Sequence, residues 1–318
     1  MKTPICDFLN KYASENTVRL HMPGHKGQGE VERLDITEIP GADSLYSAGG
    51  IIAESEGYAG ELFGAKTFYS AEGSSLSIRA MLYLAALYAR ENGRSPLVLA
   101  GRNAHKSFIS GAALIDLDVE WLPSSSISYL SSLTDTEYLE KRLTVGELPA
   151  AVYITSPDYL GFMENVGAVA EVCHRHGVML LVDNAHGAYL KFLSPSRHPI
   201  DLGADMCSDS AHKTLPPLTG AAYLHIAKGA PKVFSQRARE ALALFGSTSP
   251  SYLILSSLDK TNEYIASGYS ERLSAFIKRL GEVKGEIIKH GYTLVGHDPM
   301  KLTVFAKPYG YTGEELAA

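Results

Sequence analysis

Cysteine is scarce in this chain of 318 residues. The three cysteines, Cys6, Cys173 and Cys207, lie far apart and form no Cys-x-x-Cys pair. This distribution argues against both a disulfide framework and a zinc knuckle. We therefore expect reduced thiols and no bound metal.

The sequence also lacks an excess of positive charge and any long apolar run. Its net charge is −6 and its basic residues are scattered, so it lacks the electrostatic footprint of a nucleic-acid binder. No apolar stretch is long enough to span a bilayer, and the first residues lack the apolar core of a signal peptide. We expect a cytoplasmic protein with neither nucleic-acid nor membrane partners.

What the chain has is enough apolar residues for a full core. Hydrophobic residues make up 45% of it, which suffices for one large domain and a smaller one. We predict an N-terminal arm over residues 1–55, a major α/β domain over 56–257, and a connecting helix with the start of a small α+β domain over 258–318. The major domain should contain a serine-rich loop at 124–132. The helix-rich stretch at 258–290 predicts one long connecting helix, followed by strands at 292–295 and 302–306.

A strand-helix-strand unit is predicted in the middle of the chain. Residues 150–155 and 178–183 are apolar runs typical of buried parallel strands, and the second run ends at Asp183. Between them, Val166, Val169 and Val172 have helical spacing, and Gly177 is placed to end that helix. Asp183 then lies at the carboxyl edge of a sheet, where α/β folds bind ligands. If the ligand there contains a pyridine ring, Asp183 could keep the ring nitrogen protonated. Alternatively, Asp183 could simply cap the following turn.

Lys213 stands among small, polar, loop-forming residues, in the segment SDSAHKTLPPLTG at 208–220. A lysine amine can form a Schiff base with an aldehyde, and pyridoxal phosphate (PLP) is held in this way. The alternative is an ordinary surface lysine.

Ser74 and Ser75 follow Gly73 and open a helical stretch over residues 76–88. A helix N-terminus offers free amides and a positive dipole end, which favour a phosphate. The two serines are therefore candidate phosphate ligands.

Six short blocks in order resemble the major domain of the Orn/Lys/Arg decarboxylases, PLP enzymes of the aspartate aminotransferase fold type. The blocks span nearly the whole chain: HMPGHK at 21–26, EGSS at 72–75, GRNAHKS at 101–107, DNAHG at 183–187, SAHKT at 210–214 and GSTSPSY at 246–252. The resemblance implies a fold type I large domain, with a mostly parallel sheet between helices, and PLP as the cofactor.

The resemblance also implies roles for particular residues. Lys213 would bind the PLP aldehyde, Asp183 would pair with the ring nitrogen, and His105 would stack on the ring. Ser74, Ser75, Ser210 and His212 would lie on the phosphate side and His186 near the ring. Thr248, between Ser247 and Ser249, would reach the cofactor from a neighbouring subunit, which implies a homodimer.

The implied reaction is decarboxylation of arginine, lysine or ornithine to an amine and carbon dioxide. The proton that Cα then needs could come from Lys213 or His212, each able to act as a general acid. Transamination and aldol-type carbon–carbon cleavage would use the same lysine and aspartate. A non-catalytic PLP-binding protein is a third alternative.

Three residues depart from the family pattern. Asn184 stands where the family often has glutamate, which removes a negative charge near the site. Glu72 precedes the phosphate-loop glycine, where an acid would weaken cofactor binding unless its side chain points away. Asp158 stands where a neutral residue is more usual. We expect it to be a solvated turn residue, the alternative being a role in substrate recognition.

The chain is also shorter than the family members it resembles. It stops in a region similar to the start of their C-terminal domain, so we expect that domain to be incomplete. Because that domain closes one side of the site in this fold type, catalysis is a weaker expectation than cofactor binding.

Overall fold

The computed structural model describes residues 1–15, 17–124, 128 and 130–318. The predicted serine-rich loop at 124–132 therefore lies partly outside the described residues. Among the described residues, no helix combines the length and the apolar character needed to cross a membrane.

A seven-stranded sheet forms the centre of the molecule, in the order β1-β7-β6-β5-β4-β2-β3. Only β7 runs antiparallel to its neighbours, β1 and β6, so the predicted mostly parallel sheet is confirmed. The strands of this sheet are β1 Lys66–Ser70, β2 Leu97–Ala100, β3 Asp118–Trp121, β4 Ala151–Thr155, β5 Met179–Asp183, β6 Met206–Asp209 and β7 Ala222–Ile226. A separate hairpin is formed by β8 Leu294–Val295 and β9 Thr303–Val304.

Helices cover both faces of the sheet. They are α1 Pro4–Ser14, α2 Ile51–Phe63, α3 Gly73–Glu91, α4 Lys106–Ile115, α5 Thr136–Thr144, α6 Val166–Arg175, α7 Ala211–Thr214, α8 Lys232–Phe245, α9 Tyr252–Ala266, α10 Tyr269–Lys289 and α11 Gly313–Ala317. One face packs against α3, α4 and α8. The opposite face packs against α1, α2 and α9 at one end and α5 and α6 at the other. Because helices cover both faces of the sheet, we expect a ligand to bind at the carboxyl ends of its strands.

The predicted strand-helix-strand unit is confirmed as β4, α6 and β5. The Asn165 side chain caps the start of α6 by accepting a hydrogen bond from the Ala168 amide. Val166, Val169 and Val172 are buried, as their spacing predicts. Gly177, with a φ of 63°, makes the left-handed turn that leads into β5.

The C-terminal part contains the predicted helices and a short hairpin. The helix-rich stretch at 258–290 is two helices, α9 and α10, because Gly268 adopts a φ of 82° between them. The strands expected at 292–295 and 302–306 are shorter in the structure, where β8 and β9 have two residues each. The domain boundaries given above remain predictions.

Candidate active site

A cavity of about 390 Å³ opens at the carboxyl ends of β2, β4 and β5. This size suits a small cofactor, since ligand sites usually measure about 300–1,000 Å³. The residues that line it are Ser74, Arg102, Asn103, Ala104, His105, Leu130, Thr155, Tyr159, Asp183, Ala185, His186 and Lys213. The fold thus brings together five of the predicted residues: Ser74, His105, Asp183, His186 and Lys213.

Lys213 lies on the single turn α7, which follows β6 directly. Its Nζ is 3.3 Å from His186 Nε2. Burial of the amine lowers the pKa of Lys213, although the negative charge of Asp183 opposes the change. The site therefore shifts Lys213 toward the uncharged amine, which is the nucleophilic form.

Asp183 is the last residue of β5 and is almost fully buried. One carboxylate oxygen accepts a hydrogen bond from the Tyr153 hydroxyl at 3.2 Å, and the other accepts one from the Ala185 amide at 3.1 Å. Burial raises the pKa of Asp183, while these donors and the charge of Lys213 act in the opposite direction. Such a buried carboxylate would gain most from a cationic partner in the cavity.

His105 and His186 are two imidazoles in the cavity that favour the neutral state. His105 caps the start of α4, where its Nδ1 accepts a hydrogen bond from the Ser107 amide. Burial lowers the pKa of His105. Burial, together with the charges of Lys213 and Lys301, lowers the pKa of His186 to about 3. The two rings thus add little positive charge to the cavity near neutral pH.

The N-terminus of α3 lies beside the same region, because Ser74 in its first turn lines the cavity. Gly73 begins this helix with a φ of 73°, and apart from adjoining backbone no atom of the described residues lies within 4 Å of where a Cβ would stand. The Ser210 hydroxyl donates to the Ser74 hydroxyl at 2.7 Å, and the Ser75 and Ser107 hydroxyls are 2.6 Å apart. Four hydroxyls and a 19-residue helix N-terminus make a setting that suits a phosphate.

Ser75, Ser210, His212 and Thr248 do not line the cavity, although all four are described. The Ser75 hydroxyl is hydrogen bonded to that of Ser107 in α4, and the Ser210 hydroxyl to that of Ser74, which does line the cavity. His212 instead donates from Nδ1 to the carbonyl of Ala221 at 3.0 Å. Thr248 lies in an exposed segment.

Glu72 contacts that exposed segment. Its carboxylate accepts a hydrogen bond from the Ser247 amide at 2.6 Å. The side chain is therefore engaged with the backbone of the segment at 246–251, and not free beside the glycine of the α3 N-terminus.

The interpretation of Asp158 as a solvated residue is wrong, because only 1% of it is exposed. It does form a turn, since its Oδ1 accepts hydrogen bonds from the Leu160 and Phe162 amides. The hairpin region covers this turn: Lys301 Nζ donates to the carbonyls of Asp158 and Tyr159 at 3.0 and 3.2 Å. Because the segment that buries Asp158 is far away in the sequence, no pattern near Asp158 could have predicted its burial.

The lining residues that sequence reasoning missed also come from strand ends. Thr155 ends β4, and Arg102 and Asn103 follow β2 within the block already quoted. Their positions at the carboxyl ends of strands could have marked them as candidate site residues. Tyr153 lies inside β4, where nothing in the sequence distinguishes it from a core tyrosine.

The residues present fit PLP. Thr155 Oγ1 and Asn103 Nδ2 are buried beside the cavity without a hydrogen-bond partner among the described residues. The cavity also holds a lysine with a lowered pKa, a helix N-terminus, and the buried Asp183 carboxylate, which forms no ion pair within the described part of the chain. These are the groups that a phosphorylated aldehyde with a basic ring nitrogen requires.

The chain has the fold of the fold type I class. The order of the strands, the helix layers on both faces and the position of the lysine after β6 define it. The structure of the Francisella novicida lysine decarboxylase matches 90% of this chain with a TM-score of 0.75 at 19% identity. The constitutive lysine decarboxylase of Escherichia coli matches 90% with a TM-score of 0.69 at 21% identity. At these identities the likeness shows the fold. The chain spans less than half of both structures, 44% of each.

Residues 3–304 match the model of the Orn/Lys/Arg decarboxylase major domain. The chain belongs to this family. It is 30% identical over 343 aligned residues to an uncharacterized protein, YaaO, of Bacillus subtilis, covering 99% of this chain and 69% of that protein. It is 29% identical to an arginine decarboxylase of Halalkalibacterium halodurans, covering 98% of this chain and 68% of that enzyme.

Proposed function

We propose that this protein uses PLP to decarboxylate a basic amino acid, either arginine, lysine or ornithine. The observation that carries the proposal is the meeting of Lys213, Asp183 and His105 in one cavity of a chain from this family. The arginine decarboxylases among its relatives support the substrate class.

Lys213 would bind the cofactor aldehyde, Asp183 the ring nitrogen, and the imidazole of His105 would lie against the ring. Ser74 and the α3 N-terminus would bind the phosphate, with Ser75 and Ser210 beside them. Once bound, the cofactor supplies an electron-accepting ring for the pair of electrons left when a carboxylate departs.

Asp183 would keep the ring nitrogen protonated. Its carboxylate is held in place by Tyr153 and Ala185, so its orientation is fixed before any ligand arrives. Because the group is buried, its attraction for a nearby cation is screened less than it would be in water. Replacing it with asparagine would remove the attraction but keep the shape.

Lys213 is the better of the two candidates for returning a proton to Cα. Its Nζ faces the cavity, whereas the Nδ1 of His212 is hydrogen bonded to the Ala221 carbonyl and that residue does not line the cavity. We assign the general-acid role to Lys213 Nζ, with the neutral His186 ring 3.3 Å away as its neighbour.

A second copy of the chain is part of the proposal. Thr248 lies in an exposed segment and does not line the cavity of its own chain. We assign Thr248 to the cofactor site of a partner subunit, as the family resemblance implies.

The test is release of carbon dioxide from arginine, lysine and ornithine in the presence of PLP. We expect turnover of one of them, abolished in Lys213→Ala and reduced at least about a hundredfold in Asp183→Asn. Lys228→Ala, which removes an exposed lysine, is the matched control and should match the wild type. Formation of a keto acid without carbon dioxide would contradict the proposal and favour transamination.

A further inference from the structure

A cluster of fully buried polar side chains adjoins the cavity without lining it. It consists of Asn184, His198, Cys207, Asp209 and His225, each 0% exposed. We name it the Asp209 cluster. Nothing in the reaction proposed above uses it.

Asp209 is the centre of this cluster. Its Oδ1 accepts hydrogen bonds from Asn184 Nδ2 at 2.7 Å and from Cys207 Sγ at 3.2 Å. Its Oδ2 accepts one from His198 Nε2 at 3.0 Å, and His225 Nε2 is 3.3 Å away. Both carboxylate oxygens are thus satisfied inside the protein.

Asp209 is charged in this setting. Burial alone would raise its pKa, but the neighbouring His198 and His225 hold the pKa of this carboxyl well below its usual range. Burying a charged group with polar partners generally stabilises a fold no better than apolar residues of the same size would. The cluster therefore calls for an explanation other than stability.

Its position gives that explanation. Asn184 immediately follows Asp183, and Asp209 immediately precedes Ser210 and stands four residues before Lys213. The hydrogen bond between Asn184 and Asp209 joins these two segments side chain to side chain, beside the backbone bond from the Asn184 amide to the Ser208 carbonyl at 2.9 Å.

We propose that Asp209 is a positioning residue. Acting through Asn184, its carboxylate sets the segment that carries Asp183 and His186 relative to the segment that carries Lys213. This role rests on the proposed function, because those segments hold the two groups assigned to the ring nitrogen and the aldehyde of PLP. Asp209 does not line the cavity itself.

Histidine, cysteine and aspartate are also ligands of zinc, and the ligand atoms of His198, Cys207 and Asp209 lie within 4.8 Å of one another. The hydrogen bonds favour the positioning role instead. His198 Nδ1 accepts a hydrogen bond from the Ile200 amide at 3.4 Å, which places the proton of a neutral ring on Nε2, facing Asp209. A nitrogen that carries a proton cannot bind a metal.

The experiment compares Asp209→Asn with an exchange variant, Asn184→Asp with Asp209→Asn. The single change leaves two amides at the contact, whereas the exchange restores one carboxylate and one amide with the hydrogen bond reversed. Asp259→Asn is the matched control. Asp259 is equally buried and binds the Ile5 and Cys6 amides and the Ser55 hydroxyl, away from the cavity.

Two quantities are measured. The first is amide hydrogen exchange over residues 183–187 and 208–214 of the protein without PLP. The second is the affinity for PLP, from an absorbance titration. We expect Asp209→Asn to speed exchange in both segments and to weaken PLP binding about tenfold, the effect of losing one charge-assisted hydrogen bond. The exchange variant should recover most of both losses, and Asp259→Asn should change neither.

The proposal is overturned if Asp209→Asn binds PLP as the wild type does, if the exchange variant is no better than the single variant, or if the protein carries one equivalent of zinc that His198→Gln removes. If Asp209→Asn does not fold, Asn184→Ala cuts the same bond, keeps the histidine contacts, and should show the same two losses. A wild type without PLP binding would refute the decarboxylase proposal, while hydrogen exchange would still decide whether Asp209 joins the two segments.

Discussion

Lys213 is the residue whose protonation governs the proposed chemistry. Its amine is partly withdrawn from water and lies next to a neutral imidazole. Among the residues that the structure describes, Asp183 is the one buried carboxylate of the cavity that acts on it. Withdrawal from water disfavours the ammonium form, so the pKa of Lys213 lies below the usual value of about 10.5.

This lowered pKa predicts a pH dependence. A folded-state pKa below the unfolded one means that the native amine loses its proton at lower pH than a free lysine does. The rate at which the protein forms a borohydride-reducible adduct with PLP should therefore rise with pH, with a midpoint below 10.5. Stopped-flow absorbance between pH 6 and 11 measures this midpoint, taking about 10.4 as the value for a free lysine.

The matching control is a lysine-containing peptide under the same conditions. A midpoint for the protein equal to that of the peptide would contradict the inferred burial of the amine. In Asp183→Asn the midpoint should fall further, because the negative charge that opposes the shift is gone.

At the scale of single elements, the turn after β5 places Asp183 and His186 in the cavity. Gly187 closes this turn by donating its amide to the Asn184 carbonyl at 2.8 Å. A Cβ at Gly187 would lie 2.0 Å from Asn184 Oδ1 and 2.7 Å from side-chain atoms of Leu190 and Pro157. The glycine is required by this close approach and not by its φ, which is −125°.

Gly187→Ala is therefore predicted to lose about 1–3 kcal/mol of unfolding free energy, since the crowded neighbours must move. PLP affinity should fall with it because Asn184 is among those neighbours. Urea unfolding measures the first effect. Gly285→Ala is the control: it lies in α10, and no described atom beyond its own stretch of helix lies within 4 Å of the added Cβ, so it should gain up to about 1 kcal/mol. Equal stability of the two variants would contradict the packing described here.

The elements around the site could be predicted where the signal is local. Val166, Val169 and Val172 have the spacing of one helix face, and the apolar run before Asp183 is long enough for a buried strand, so β4, α6 and β5 follow from the sequence. Asp158 could not be placed in the same way. It is buried by Lys301 and its neighbours, more than 100 residues away, and no pattern near Asp158 registers that contact.

The Asp209 cluster was beyond prediction for a similar reason. His198 and His225 are isolated in sequence, and each looks like an ordinary histidine in a loop or a strand. The antiparallel pairing of β6 with β7, which puts Cys207 opposite His225, brings His225 to Asp209. His198 reaches the same carboxylate from the loop before β6.

At the scale of the whole molecule, the parallel sheet explains why the separate sequence blocks converge. β2, β4, β5 and β6 run in the same direction, so the residues that follow them meet at one edge. The helices on both faces close the remaining surfaces of the sheet. The hairpin region completes one side, where Thr303 Oγ1 donates to the Leu160 carbonyl at 3.0 Å and fixes the turn that carries Tyr159.

Binding of PLP to Lys213 at this edge of the sheet underlies every role assigned above. The decisive measurement is the visible absorbance of the purified protein mixed with PLP, before and after borohydride, for the wild type and Lys213→Ala. We expect a band in the wild type that borohydride removes, and no such band in Lys213→Ala. A wild type without a band, or a variant that keeps it, would contradict the assignment of Lys213 and of the cavity.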